Sequence, residues 1–236
     1  REVFYMRGRQ ALSDGKYAQS IENFNVLARI DSTDHWTFFF RGIAKYNLGD
    51  VRGAQKDFDK SVKLNPVFTS GYHYRAITFS RSGDYESALR DFDAALSLRP
   101  GYEGIYFSRG VTYFLAQRFG EAVTDFDWYI RKQPKDPAAF LNRGASYLFM
   151  GDTTKALADY NKAIELYPQT ACGLLIVACI HGIARTIPFF GHLLDACMVP
   201  FDALIIGSAV IKDFLGSDTF KRMLFALEKA VTATAM

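Results

Sequence analysis

Five arginines stand 34 residues apart, at Arg7, Arg41, Arg75, Arg109 and Arg143. Sixteen residues after each comes Asn23, Asp57, Asp91, Asp125 or Asp159. A guanidinium is a planar fork of donors that fits a carboxylate bidentately. Such a row reads either as a recurring binding device or as a recurring internal ion pair. Other chemistry is thin. His35, His73, His181 and His192 are scattered, and only the last two, flanking Pro188, stand where a turn brings them near each other. Core or interface histidines are expected there rather than metal ligands. Asp195 and Asp202 are separated by Pro200 and read as helix caps or partners of Arg185. No Gly-rich phosphate loop occurs. The sequence therefore predicts no catalytic residue, no metal ligand, no cofactor and no enzyme.

The elements that position these residues repeat with them. Gly8, Gly42, Ala76, Gly110 and Gly144 share the period, as do Phe24, Phe58, Phe92, Phe126 and Tyr160. In residues 69–102, Tyr72, Arg75, Ala76 and Phe79 recur at helical spacing, Gly83-Asp84 breaks the pattern, and Tyr85, Ala88, Leu89, Phe92, Ala95 and Leu96 form a second apolar stripe. This is helix, tight turn, helix, stop. The small residue at position 8 of each unit, with Ala54, Ala88, Ala122 and Ala156 at position 20, lets the two helices approach closely. Gly15, Gly49, Gly83 and Gly151 supply the left-handed residue that ends a helix. Gln117 stands at that place in the fourth unit, which predicts a poorer turn. Pro66, Pro100, Pro134 and Pro168 stop the second helix. A fixed period of this kind builds a stack of supersecondary units, each burying its apolar face on the next.

The pattern aromatic-x-x-R-G-x-x-Y, then G-D-Y-x-x-A-x-x-D-F-x-x-A and Pro, resembles the tetratricopeptide repeat. Five units are placed, at 1–34, 35–68, 69–102, 103–136 and 137–170, followed by a hydrophobic helical region at 171–236. The first unit is the weakest, with Ser20 for the small Ala and Ser32 for the Pro. The resemblance implies an all-α, right-handed solenoid of helix hairpins. It also sets position 7 opposite position 23, which implies structural ion pairs Arg41–Asp57, Arg75–Asp91, Arg109–Asp125 and Arg143–Asp159. Asn23 carries no charge, which leaves Arg7 free.

The resemblance further implies that ligands lie in a concave groove lined by positions 2, 5, 9 and 12 of the first helices. The expected groove residues are Tyr5, Trp36, Phe39, Ile43, Tyr46, His73, Ile77, Phe107, Val111 and Phe114, with Arg9, Leu12, Ser80, Leu141, Ala145 and Leu148 completing the register. Relatives that grip the C-terminal carboxylate of chaperones use Lys and Asn at these positions. Neither occurs here, which excludes that ligand class. An apolar trough fits an amphipathic helix or an extended apolar segment of a protein or peptide partner. The competing reading is that Phe39 and Phe107 pack between adjacent units.

Composition bounds the rest. The chain has 236 residues, 49% hydrophobic, with 21 Phe and 13 Tyr, enough for a sizeable core. Net charge is +3 from 28 basic and 25 acidic residues, which gives no basic face for nucleic acid. Cys172, Cys179 and Cys197 lie in apolar runs and read as buried free thiols, which favours an intracellular compartment, cytoplasm or organellar matrix. The chain begins with Arg1 rather than Met, which reads as a trimmed or processed chain.

After Pro168 the period stops. Residues 171–211 carry only Arg185, Asp195 and Asp202 as formal charges. Four helices are expected, roughly at 171–186, 189–198, 201–215 and 218–232. They form a bundle docked on the repeats, a surface for a hydrophobic partner, or a membrane contact through 171–215. The overall expectation is an interaction scaffold or adaptor, a subunit of a larger complex. The alternative is a membrane-associated assembly or anchoring factor.

Overall fold

The structure is a computed structural model, described for residues 1–167. Among these residues there are ten α-helices: α1 (Glu2–Ser13), α2 (Tyr17–Ile30), α3 (His35–Asn47), α4 (Val51–Leu64), α5 (Thr69–Arg81), α6 (Tyr85–Leu98), α7 (Glu103–Leu115), α8 (Phe119–Lys132), α9 (Pro137–Phe149) and α10 (Thr153–Leu166). The chain divides into two compact units, Arg1–Asp159 and Tyr160–Met236. In the first, the helices form an all-α solenoid of hairpins. From α1 to α9 each helix packs on its neighbours in chain order, and α1, α3, α5, α7 and α9 also touch one another in series. The four helices, three cysteines and two histidines expected beyond residue 170 lie outside the described residues.

Small residues at position 8 set the distance within a hairpin. A Cβ on Gly8, Gly42 or Gly110 would sit 2.9, 2.7 or 2.9 Å from the ring of Phe24, Phe58 or Phe126. Those rings are fully buried. Ser20, which takes the place of the usual Ala, is also fully buried, and its hydroxyl donates to the Gly8 carbonyl at 2.9 Å. The hydroxyl is thereby satisfied where the two helices are closest.

Helix ends are set by short polar side chains. Asp34, Asp50, Asp84, Asp136 and Asp152 each accept a first-turn backbone N–H of the following helix. Prolines stand two residues beyond the ends of α4, α6 and α8. At the end of α2, where Ser32 replaces the proline, Asp31 takes both the backbone N–H and the hydroxyl of Thr33 on Oδ1, at 2.9 and 2.6 Å, and turns the chain instead.

The expectation of a poorer turn at Gln117 is corrected. Gln117 itself adopts φ 60°, beside 71°, 90°, 81° and 85° at the four glycines. Its N–H bonds Phe114 O at 2.9 Å and the next N–H bonds Tyr113 O at 2.8 Å, the pattern seen at Gly83. The turn is unchanged because the hydrogen bonds and hairpin packing dictate it, at a local cost of about 1 kcal/mol for a side chain in this region.

Candidate functional site

The arginines at position 7 form a ladder that runs between hairpins. Arg75 donates through Nε and Nη2 to the two oxygens of Asp91, at 2.6 and 2.7 Å. Its Nη1 reaches back to Asp59 of the preceding second helix, at 2.9 Å. Arg109 makes the same three bonds to Asp125 and Asp93, and Arg143 to Asp159 and Asp127. Arg41 pairs with Asp57, and its Nη1 finds the amide oxygen of Asn25 at 2.9 Å. The hydrogen bonds that Arg75 donates to Asp91 hold its guanidinium pKa above the ordinary value. Aromatic rings close over the ladder, as Tyr72 and Phe79 do at 5.4 and 5.9 Å from Arg75. These arginines are therefore internal fasteners and offer no free cation to a ligand. Arg7 alone in the series is exposed, and it has no ion pair or hydrogen bond among the described residues. The partners Asn25, Asp59, Asp93 and Asp127 were not anticipated. Their signal is the recurring D-F-D triplet at positions 23–25, of which the pairing expectation used only the first residue.

The expected groove residues separate into two groups. Tyr5, Ile43, Tyr46, Ile77, Phe107 and Val111 are half-buried, and Trp36 is 40% exposed. These side chains offer apolar surface along successive first helices. Phe39, His73 and Phe114 do not, and their assignment as lining residues is corrected. Phe39 is only 5% exposed because Phe68, at the start of α5, and Tyr74 of the next hairpin close on it edge-on, at 4.9 and 5.3 Å between centroids. Phe114 is 7% exposed, edge-on to Phe119 and Phe149. Replacing Phe39 by Glu would thus strike the core rather than a binding face. Phe107 lies against Phe126 and Tyr129 of its own hairpin and keeps part of its surface.

His73, also 7% exposed, sits at the junction of the third and fourth hairpins. Its Nε2 lies 3.0 Å from Ser108 Oγ, and rings of Tyr74, Phe92 and Tyr102 surround it. Its Nδ1 has no hydrogen-bond partner among the described residues. Burial pushes the imidazole down to about 4, so it is neutral across the physiological range. Among the described residues no group of three or more His, Cys, Asp or Glu is arranged to hold a metal ion.

Repeated helix hairpins with a shared ladder and a continuous apolar face define a helical-repeat interaction scaffold. Models of the tetratricopeptide repeat match residues 41–103, 73–127 and 137–169, together just over half of the chain. The chain belongs to the tetratricopeptide repeat family. No curated protein matches the sequence. Solved structures do. A crystal structure of MamA protein superposes with a TM-score of 0.63 at 18% identity, over 72% of this chain and 93% of that one. MamA 41-end from Desulfovibrio magneticus RS-1 gives 0.66 at 20% identity, over 71% and 95%. At these identities the likeness is one of fold.

Proposed function

We propose that the first-helix face of the repeats captures an apolar helical or extended segment of a partner protein, and that the chain works as one subunit of a larger assembly. The observation that supports this is the run of partly exposed apolar side chains, Tyr5, Trp36, Ile43, Tyr46, Ile77, Phe107 and Val111, at equivalent places on successive helices. An apolar strip of this kind is matched by the apolar face of an amphipathic segment. The role is binding rather than catalysis, since the periodic charges are occupied with one another. The nearly balanced net charge of +3 favours a protein partner over nucleic acid. In this reading the repeats end near residue 170, and residues 171–236 form a separate apolar region.

The alternative, a lipid-contacting anchoring factor, rests on the apolar sequence of 171–215, outside the described residues. Among the described residues no helix is long and apolar enough to cross a membrane.

A photo-crosslinking residue at Ile77 or Val111, and in parallel at exposed Arg90, tests the main reading in cells. Adducts to one partner segment are expected from the first two positions and none from Arg90. Phe107→Glu should remove the Val111 adduct while far-UV circular dichroism stays unchanged. Adducts confined to Arg90 would move the site off this face.

A further inference from the structure

At the first two hairpins the apolar strip meets carboxylates. A shallow recess of about 390 Å³ is lined by Arg1, Glu2, Tyr5, Asp34 and Trp36. The indole of Trp36 is held by rings behind it: stacked on Phe40 at 5.6 Å and edge-on to Phe39 and Phe68 at 5.8 and 4.7 Å. It is thus a rigid, partly exposed π face. Tryptophan is the strongest aromatic acceptor for a cation. Cations already lie over its neighbours, with Arg9 at 5.2 Å from Phe40 and 5.9 Å from Tyr5. Over Trp36 itself there is none among the described residues.

The charge around the recess points the same way. Arg1 is drawn to its rim, 2.8 Å from Asp31 and 3.6 Å from Asp34. Asp34 otherwise accepts from the backbone N–H of Trp36 and the Thr37 hydroxyl. Glu2 is exposed and makes no ion pair or hydrogen bond among the described residues. The charged lining is thus two carboxylates, Glu2 and Asp34, against one guanidinium, Arg1, which Asp31 also holds at the rim, while Arg9 lies over Tyr5 and Phe40. An acidic side chain entering here would meet like charge and the negative face of the indole. A purely aliphatic one would cover Glu2 without neutralising it.

We propose that this recess is a subsite for a lysine or arginine side chain of the captured segment. The aliphatic stem lies along Tyr5, the charged head rests on the Trp36 indole, and Glu2 is its counter-ion. The proposal rests on the reading of the first-helix face as the capture surface, and it adds to the ligand a basic residue at the end of its apolar stripe.

The probe is N-acetyl-arginine amide, titrated into the full chain while the two indole N–H signals are followed by nuclear magnetic resonance. Trp36 should shift saturably. Trp128, stacked on Tyr106 at 3.7 Å with Lys132 already over its ring, should not. N-acetyl-citrulline amide, the same shape without charge, should bind about tenfold more weakly. Glu2→Gln, an exposed substitution that leaves the core alone, should weaken the arginine response and leave the citrulline response unchanged. A silent Trp36, or equal responses to the two amides, overturns the proposal. Crosslinking at Val111 separates the two readings. Adducts with a silent Trp36 remove only the subsite. A charge-selective Trp36 without adducts keeps the cation site and removes the capture surface.

Discussion

The first hairpin and the interior hairpins are built alike inside and differ where they meet a neighbour. In both, a glycine presses on a buried Phe ring at the same distance, Gly8 on Phe24 and Gly110 on Phe126. At position 3, however, Val3 is 57% exposed while Ile105 is fully buried. At position 7, Arg7 is exposed and unpaired among the described residues, while Arg109 makes three charge-assisted bonds. Hairpin packing and the bidentate pair are thus properties of each unit, and the third bond of each rung, as from Arg109 to Asp93, is a property of pairs of units. Stability in such an array is a sum of unit terms and nearest-neighbour terms. The two kinds of position report on them separately.

The largest test of that division is Asp91→Ala against Arg7→Ala. Removing Asp91 leaves the Arg75 guanidinium in a largely buried place with only Asp59, and should cost about 3 kcal/mol. Arg7→Ala should stay within about 0.5 kcal/mol. Urea unfolding followed by circular dichroism compares them, and equal losses would mean that the buried Arg75–Asp91 pair holds its hairpin no better than an exposed arginine does.

Next is the junction at His73. With its folded value lowered to about 4 and an unfolded value near 6.5, the neutral form is favoured on folding. Its contribution is complete above about pH 6.5 and is lost as pH falls through the folded value, in total about 3 kcal/mol. His73→Leu should flatten the wild-type slope of stability between pH 6.5 and 4 by that amount. A parallel slope in the variant would assign the loss to carboxylates alone.

A smaller effect is expected at the turns. Gln117→Gly should stabilise by about 1 kcal/mol, and Gly83→Gln should destabilise by a similar amount, since a Cβ there meets nothing within 4 Å and only the backbone is strained. Differential unfolding midpoints decide it. Smallest of all, Asn23→Asp offers Arg7 a carboxylate on an exposed face. The gain should stay below about 1 kcal/mol and vanish in high salt. A larger, salt-resistant gain would show that the first hairpin forms a full rung by itself.

What the sequence made legible follows the same division. The period, the close-approach glycines, the helix stops and the partners Asp57, Asp91, Asp125 and Asp159 could be read because each recurs within one unit. The resemblance carried the pairing itself. The burial of Phe39 could not be read, because Tyr74 of the next hairpin and Phe68 at the junction close on it. His73 was hidden for the same reason, covered by Ser108 of the following unit and by Tyr102 at the start of α7. Gln117 misled because its side chain argued against a conformation that the surrounding hydrogen bonds impose. The second set of ladder carboxylates was present in every D-F-D triplet but belongs to no single hairpin. The recess at Trp36 was legible only as one aromatic position, since Glu2 and Asp34 come to it from different turns.

The ladder also bears on how such a chain changes length over generations. Each 34-residue segment carries one arginine at position 7 and one acceptor at each of positions 23 and 25. Duplicating or deleting a whole segment therefore adds or removes donors and acceptors in the same ratio, and the new junction inherits a complete rung. An insertion of any other size would strand a buried guanidinium. The arithmetic of charge, as much as the fit of side chains, makes the whole repeat the natural unit of recombination.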